Sequence, residues 1–299
     1  MSFIAQFIAD TQGYAEYLWR EITFSNTPFW KNYFWWLVLV SLFFMLLEWL
    51  SPWRKHQAKF RKDFWLDAFY MFFNFFLFSL IGFLAISNIV VEAFDQFFLE
   101  SLNIDLKTSN PMRSWDRGWI LLTGFIISDF LQWNIHRLLH RVPFLWEFHK
   151  LHHSVKEMGF AAHLRYHWME TIVYKSLQYI PLAILGIGLY DFFIIHIISV
   201  IVGHFNHANF APNIGPLKYL INNPRMHIWH HSKKWPDKMR FGVNFGITLS
   251  IWDWLFGTAW IPESGRDIEL GFPEDEKYPK SFFRQITYGF WPKKRKRTS

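Results

Sequence analysis

Five histidines fall within eighteen residues, in the stretch DFLQWNIHRLLHRVPFLWEFHKLHH over 129–153. They are His136 and His140 as HRLLH, then His149, His152 and His153 as HKLHH. A second set follows as HFNH and HIWHH, with His204, His207, His227, His230 and His231. Neutral imidazole is the commonest metal ligand among side chains. On a helix, residues i, i+3 and i+4 share a face, so each HxxHH triplet can offer three imidazoles to one small volume. A single metal takes about four to six ligands, so ten convergent histidines are too many for one ion and about right for two. Imidazole suits Zn, Fe, Cu and Ni, not Mg or Ca. A lone histidine on an apolar helix is ordinarily a packed core residue. An HxxxH box followed by two HxxHH boxes is not accounted for in that way.

A metal-bound histidine usually gives its other N–H to a carboxylate or carbonyl. Asp129 lies two helical turns before His136 on the same face, and Glu170 and Asp253 are further candidates to orient a ligand. For each, a helix cap or a surface ion pair is the plainer alternative. His163 and His167, in HLRYH, repeat the i, i+4 spacing; His167 is expected to support the ligands or anchor a helix rather than to ligate. His196 precedes His207 by eleven residues, about 16 Å along a helix, which is too far to share an ion. It is expected to pack or to line a substrate cavity. His56 sits in a basic loop and is expected to be solvated, while Arg137, Arg141 and Arg165 are expected to neutralise carboxylates or meet headgroups. Cysteine is absent, which removes disulfides, thiolate metal sites, Cys-ligated iron–sulfur clusters and Cys nucleophiles together.

The elements that must carry these groups read as membrane helices. The chain has 299 residues, 52% of them hydrophobic and 21% aromatic, with 35 Phe and 18 Trp. A soluble core rarely hides that much aromatic area, so a bilayer is the expected solvent. Residues 2–21 alternate at roughly helical spacing and read as an interfacial helix within a segment 1–28. Apolar runs follow at 29–50, 64–93 and 118–133, then a hairpin pair at 170–187 and 190–203 that breaks at Gly186 and Gly188. The second arm of that pair is expected to be short. Asp67 and Asn74 stand inside the second run; a headgroup-level or ligand-supporting role is expected for Asp67. The expected fold is all-α, an integral membrane bundle of about four spanning helices with a cytosolic, helical, His-rich cap. One membrane unit over 29–270 and a basic tail over 271–299 complete the division.

Loop 51–63 carries Arg54, Lys55, Lys59, Arg61 and Lys62, and the tail PKKRKR adds five positive charges to a net charge of +7. The positive-inside rule places both, and the histidine boxes with them, on the cytoplasmic side. No nucleic-acid-binding motif accompanies the basic tail, and no cleavable signal peptide is expected at 2–20, which holds Asp10 and Glu16.

The order HxxxH, HxxHH, HxxHH resembles the fatty acid hydroxylase/sterol desaturase superfamily of integral membrane di-iron enzymes. The flanking stretches DFLQWNIHRLLH, LWEFHKLHHS, HANF before GPL, NNPRMHIWHH, and NFG before IWDWLFGT are similar to bacterial sterol desaturase-like and alkylglycerol monooxygenase-like members. The resemblance covers about 119–259. It implies O2-dependent hydroxylation or desaturation of a lipid C–H bond at two iron ions per chain. His136, His140, His149, His152, His153, His227, His230 and His231 fall on the family's ligand boxes, and His207 on a position that recurs before the last box. His204 is added to the ligand set, although its HxxH spacing differs from the HxxxH common in related chains. The family often has H-P-x-E where this chain reads His167-Trp168-Met169-Glu170, without the proline.

The resemblance also implies partners: a lipid substrate, a membrane, and an external electron donor (a reductase, ferredoxin or cytochrome). Neither a fused haem segment nor a flavin-type GxGxxG is present. Zinc can occupy such a site in a purified sample without being the working metal. A bacterial inner membrane is the expected location, or the endoplasmic reticulum in a eukaryote. The rival readings are a membrane metal-ion transporter, a metal-binding protein without redox chemistry, and a bis-His haem protein. Transporters usually place a few histidines at the membrane midplane. Haem ligation calls for isolated histidines on facing helices rather than HxxHH triplets.

Overall fold

A computed structural model describes residues 3–25, 29, 32–76, 96–105, 111–185, 187 and 189–290. The later part of the apolar run 64–93, the break at Gly186 and Gly188, and the PKKRKR tail lie outside the described residues. Among the described residues the chain is all-α; only two isolated backbone bridges, Ile221 with Leu249 and Ser232 with Leu270, depart from helix and loop.

The main helices are α1 (Phe3–Ile22), α2 (Tyr33–Leu50), α3 (Phe64–Phe73), α4 (Arg117–Arg141), α5 (Pro143–His153), α6 (Trp168–Ile184), α7 (Leu189–His207) and α8 (Pro224–His230). Short turns α9 (Ile251–Leu255) and α10 (Phe282–Ile286) follow. Asn32 starts α2 by accepting from Trp35 N at 3.1 Å, the usual N-cap device. Val142 stops α4 because the proline after it disfavours a helical backbone. Pro143 then opens α5 at the position where a missing N–H costs nothing. This one-residue corner folds the HRLLH helix back against the HKLHH helix. Asn223 caps α8 by accepting from the N–H groups of Arg225 and Met226, with Pro224 again at the first position.

α4 packs on α5, α6 and α7; α7 also packs on α2 and α8, so α4 and α7 form the centre. Trp53, Val155, Met158, Ile228, Trp229 and Val243 pack into one buried apolar cluster, whose chain neighbours include His153 and His230. Leu37, Val40 and Phe44 of α2 turn inward, whereas Leu39, Leu42, Phe43, Leu46 and Leu50 are exposed. The exposed set follows helical spacing, so α2 is apolar on both its covered and its open sides. Trp65, Phe69 and Phe72 of α3 and Trp119, Leu122 and Ile126 of α4 are exposed as well.

Among the described residues no helix is both long and apolar enough to cross a membrane. The apolar α2 has 18 residues, about 27 Å against a hydrocarbon core of about 30 Å. α4 has 25 residues but runs past the expected end at 133 to carry His136 and His140. α7, the expected short arm, has 19 residues because it continues to His207.

Asp67 is fully buried where α3 meets the loop before α6. It accepts from Arg61 and, at 2.8 Å, from Arg165 Nη1; Arg165 also reaches Asp63 at 3.2 Å and Ser154 Oγ at 3.0 Å. Breaking a buried pair by removing one partner typically costs about 3–5 kcal/mol. Asp67→Ala, which leaves Arg61 without its carboxylate, is therefore expected to destabilise the fold by about that amount. A denaturant or thermal titration of the purified chain checks this, and a loss under about 1 kcal/mol would count against it.

Candidate metal centre

Nine histidines gather into two groups. His136 and His140 of α4, His149 and His153 of α5, and His230 of α8 place a ring nitrogen each within 4.8 Å of one another. His152 of α5, His207 of α7, and His227 and His231 at the end of α8 do the same in the second group. All nine are buried, His140 least so at 8% exposure.

Neither HxxHH triplet serves a single group. The i and i+4 members go together, and the i+3 member goes to the other: His149 and His153 against His152, and His227 and His231 against His230. At 100° per residue, i+3 lies about −60° from i and i+4 about +40°, so the two project some 100° apart. Each triplet therefore straddles both groups and fixes their separation.

The hydrogen-bond pattern sets which nitrogen is free. His136 Nδ1 donates to Phe245 O at 2.7 Å, His207 Nδ1 to Gly203 O at 2.8 Å, His230 Nδ1 to Val243 O at 2.8 Å and His152 Nδ1 to Arg165 O at 3.3 Å. His149 Nδ1 bonds Glu170 Oε2 at 2.7 Å. A carbonyl can only accept, so the neutral rings of His136, His207, His230 and His152 carry their proton on Nδ1 and present a bare lone pair at Nε2. Yet the Nε2 atoms of His207 and His152, two rings whose Nδ1 atoms are both taken by carbonyls, face each other at 3.3 Å. His136 and His149 also approach through Nε2 at 3.2 Å, as do His207 and His227, where His227 Nδ1 accepts from Asn222 Nδ2 at 3.4 Å. His230 Nε2 is buried with no partner at all. The facing lone pairs of His207 and His152 cannot bond each other, and a cation between them removes the conflict. The all-imidazole donor set, with most of its outer N–H groups anchored, fits two transition-metal ions. Burial pushes His149, His152, His153, His227, His230 and His231 well below the ordinary 6.5, with the neighbouring imidazoles adding to it, which keeps them neutral and able to ligate.

His204 lies outside both groups. Its Nε2 meets Ser41 Oγ at 3.1 Å and its Nδ1 meets His163 Nδ1 at 2.9 Å. His163 in turn stacks at a tilt on His207, 5.2 Å between ring centroids. His167 is also outside, packed on Phe148 and Trp168, with its Nδ1 accepting from Met169 N. Glu170 touches a grouped histidine directly. Asp253 reaches one at second hand: it accepts from Phe245 N at 2.9 Å, Gly246 N at 2.8 Å, Trp133 Nε1 at 3.0 Å and Thr258 Oγ1 at 2.5 Å, fixing the strand of chain whose Phe245 carbonyl holds His136. Asp129 accepts from Trp252 Nε1 at 2.8 Å and Leu249 N, and so anchors that same loop without meeting a grouped histidine. His196 lines a cavity that reaches His136, His149, His152 and His207.

The carbonyls of residues 241, 243 and 245 carry no side-chain signature, and sequence reasoning missed them. They serve His140, His230 and His136 respectively, all of the five-histidine group. Gly242 at φ +111° and Asn244 at φ +54° alternate with them, turning successive peptides so that the three oxygens face one way. Asn244 tolerates the left-handed region and is tied by Met226 O and Trp260 O at 2.8 Å each. Gly242→Ala would put a Cβ 3.2 Å from His140 Nδ1 in a conformation that L-residues rarely adopt. It is expected to cost about 1–3 kcal/mol and to weaken metal retention, read by thermal unfolding and by metal per chain after dialysis.

Known proteins resemble the part of the chain that holds this geometry. A profile of the fatty acid hydroxylase family matches residues 121–258, which enclose all nine grouped histidines and Asp253. Residues 121–258 are similar to the fatty acid hydroxylase family. Over 182 residues the chain is 34% identical to the ornithine lipid hydroxylase OlsE of Rhizobium tropici, covering 61% of this chain and 54% of that protein. It is 29% identical over 146 residues to the alkylglycerol monooxygenase of Homo sapiens, covering 48% of this chain and 31% of that protein. It is 24% identical over 184 residues to the very-long-chain aldehyde decarbonylase GL1-6 of Oryza sativa subsp. indica, covering 55% and 28%. The chain thus spans about half the length of the first of these relatives and about a third of the others. No solved structure matches the chain. The matched stretch begins within α4 and ends just after α9, so α1, α2 and α3 lie outside it.

Proposed function

We propose that the chain is a membrane-bound lipid monooxygenase that hydroxylates a C–H bond at two iron ions. The balance is R–H + O2 + 2 e− + 2 H+ → R–OH + H2O. The observation that carries this reading is the pair of buried all-histidine groups inside a stretch similar to the fatty acid hydroxylase family. His136, His140, His149, His153 and His230 would hold one ion, and His152, His207, His227 and His231 the other. When bound, the ions would supply O2 reduction and hydrogen abstraction.

The chain's own residues do the rest. The Phe245, Val243, Gly203 and Arg165 carbonyls and Glu170 hold the imidazoles in the tautomer that exposes Nε2. Burial excludes bulk water from the donors. Both groups open onto the cavity beside His136, His149, His152 and His207, whose lining includes Val200 and Ile247. It lies between α4, α6 and α7, where a substrate carbon can be held against the ions. The exposed apolar residues of α2, α3 and α4 support a bilayer setting for residues 29–270, with lipid entering from that side. Hydroxylation is favoured over desaturation because two of the three relatives named above are a hydroxylase and a monooxygenase, the third being an aldehyde decarbonylase. Two electrons per turnover come from an external reductase, ferredoxin or cytochrome.

Lipid profiling of cells expressing the wild type against His152→Ala tests the reading. One lipid class is expected to gain a single oxygen in the wild type only. A loss of two hydrogens instead would make the chain a desaturase, and no difference in any lipid would overturn an oxidative role.

A further inference from the structure

The two buried groups are not equally deep. His140 has the highest exposure of the nine, and the residues that cover it form a basic, aromatic face. Phe241 is exposed; the guanidinium of Arg141 lies 5.7 Å from its ring centroid and that of Arg240 5.4 Å. Phe241 directly precedes Gly242, where a Cβ would lie 3.2 Å from His140 Nδ1, so this short stretch of backbone joins the open surface to the histidine. Trp235, 6.0 Å from the His140 ring, and Trp146, 5.0 Å from it, are partly exposed beside it. Arg141, Lys234, Lys238 and Arg240 are exposed and set against Asp237 alone in this stretch, and none of the four has an ion-pair partner among the described residues.

Resting on the monooxygenase reading, we propose that this face is the docking surface for an acidic one-electron carrier protein, with electrons entering through Phe241 and His140. The proposed reaction takes two electrons, and the chain has no cysteine and so no cluster of its own. Each encounter oxidises the carrier by one electron. Two encounters and two protons from water complete one turnover. A carrier must approach where the acceptor lies nearest the surface, and there Arg141 and Arg240 flank Phe241 without ion-pair partners among the described residues. Complementary charge favours an acidic partner and speeds its encounter. The exposed aromatic ring at the centre, with charged groups around it, has the arrangement of a small protein interface.

The test uses the full chain in nanodiscs, with an acidic [2Fe–2S] ferredoxin and a basic cytochrome c as probes. Ferredoxin is expected to bind with an affinity that falls as salt rises, and cytochrome c not to bind. The double variant R141E/R240E is expected to weaken ferredoxin binding on the order of tenfold or more and to flatten the salt dependence. R141K/R240K is expected to keep it, which separates charge from misfolding. Turnover driven by dithionite is expected to be the same in R141E/R240E as in the wild type. Unchanged ferredoxin affinity in R141E/R240E overturns the proposal. So does loss of binding to phosphatidylglycerol vesicles in that variant with ferredoxin affinity intact, which would make the face a headgroup contact. Absence of dithionite-driven turnover in the wild type would instead count against the monooxygenase reading, and the binding measurements would still decide the docking surface.

Discussion

His207→Ala is expected to lower the metal content from about two ions per chain to about one and to cut turnover on the order of 10³-fold or more, about 4 kcal/mol of barrier. The reason is the unequal ligand count. The second group has four histidines, and removing His207 leaves His152, His227 and His231. Three imidazoles resemble an open site that exchanges its ion, whereas four fill a tetrahedral shell. His207 is also central to its group, with Nε2 3.3 Å from His152 and 3.2 Å from His227. The first group has five histidines, so His153→Ala leaves four. His153 Nδ1 has no hydrogen-bond partner, so its loss unties nothing further. His153→Ala is therefore expected to keep about two ions and to weaken retention about 10–100-fold, the range seen when a supporting group is lost. Metal analysis after dialysis against a chelator separates the two variants. Equal loss from both would show that the groups do not hold separate ions.

The contrast between the two groups was only partly legible in the sequence. HxxxH and HxxHH spacings put the right side chains on helix faces, and α4, α5 and α8 carry them as expected. Spacing alone could not say that each triplet is divided, because the choice of which neighbour each imidazole meets is made by packing between helices. His204 shows the same limit. It sits one turn before His207 on α7, close enough in sequence to suggest a shared ion, yet it is directed to Ser41 of α2 and to His163. A residue on a distant helix decided its role. The α-helical runs were legible because their composition is biased over many residues. The 241–246 loop was not, because what it supplies is backbone oxygen, and only the glycine and asparagine that turn it leave a trace in the sequence.

That loop is held by one carboxylate, and Asp253→Ala is expected to be the most damaging change outside the histidines. Asp253 is fully buried and accepts from two backbone N–H groups, an indole and a hydroxyl. Alanine leaves the Phe245 and Gly246 N–H groups and the Trp133 indole buried without an acceptor, and frees the partly buried Thr258 hydroxyl. Each such donor costs about 1–3 kcal/mol, so relaxation of the loop must follow, and a net loss of about 3–5 kcal/mol is expected. Asp253→Asn preserves shape but turns an acceptor into a donor facing donors, and is expected to lose nearly as much. The effect should reach the metals. With Phe245 released, His136 loses the carbonyl that fixes its tautomer, and retention of the first ion should fall while the second ion, whose ligands come from α5, α7 and α8, stays. Thermal unfolding with and without added metal reads both parts. If Asp253→Ala lowers stability but leaves the retention of both ions as in the wild type, then the carboxylate supports the loop alone and the link from Asp253 through Phe245 to His136 is not used.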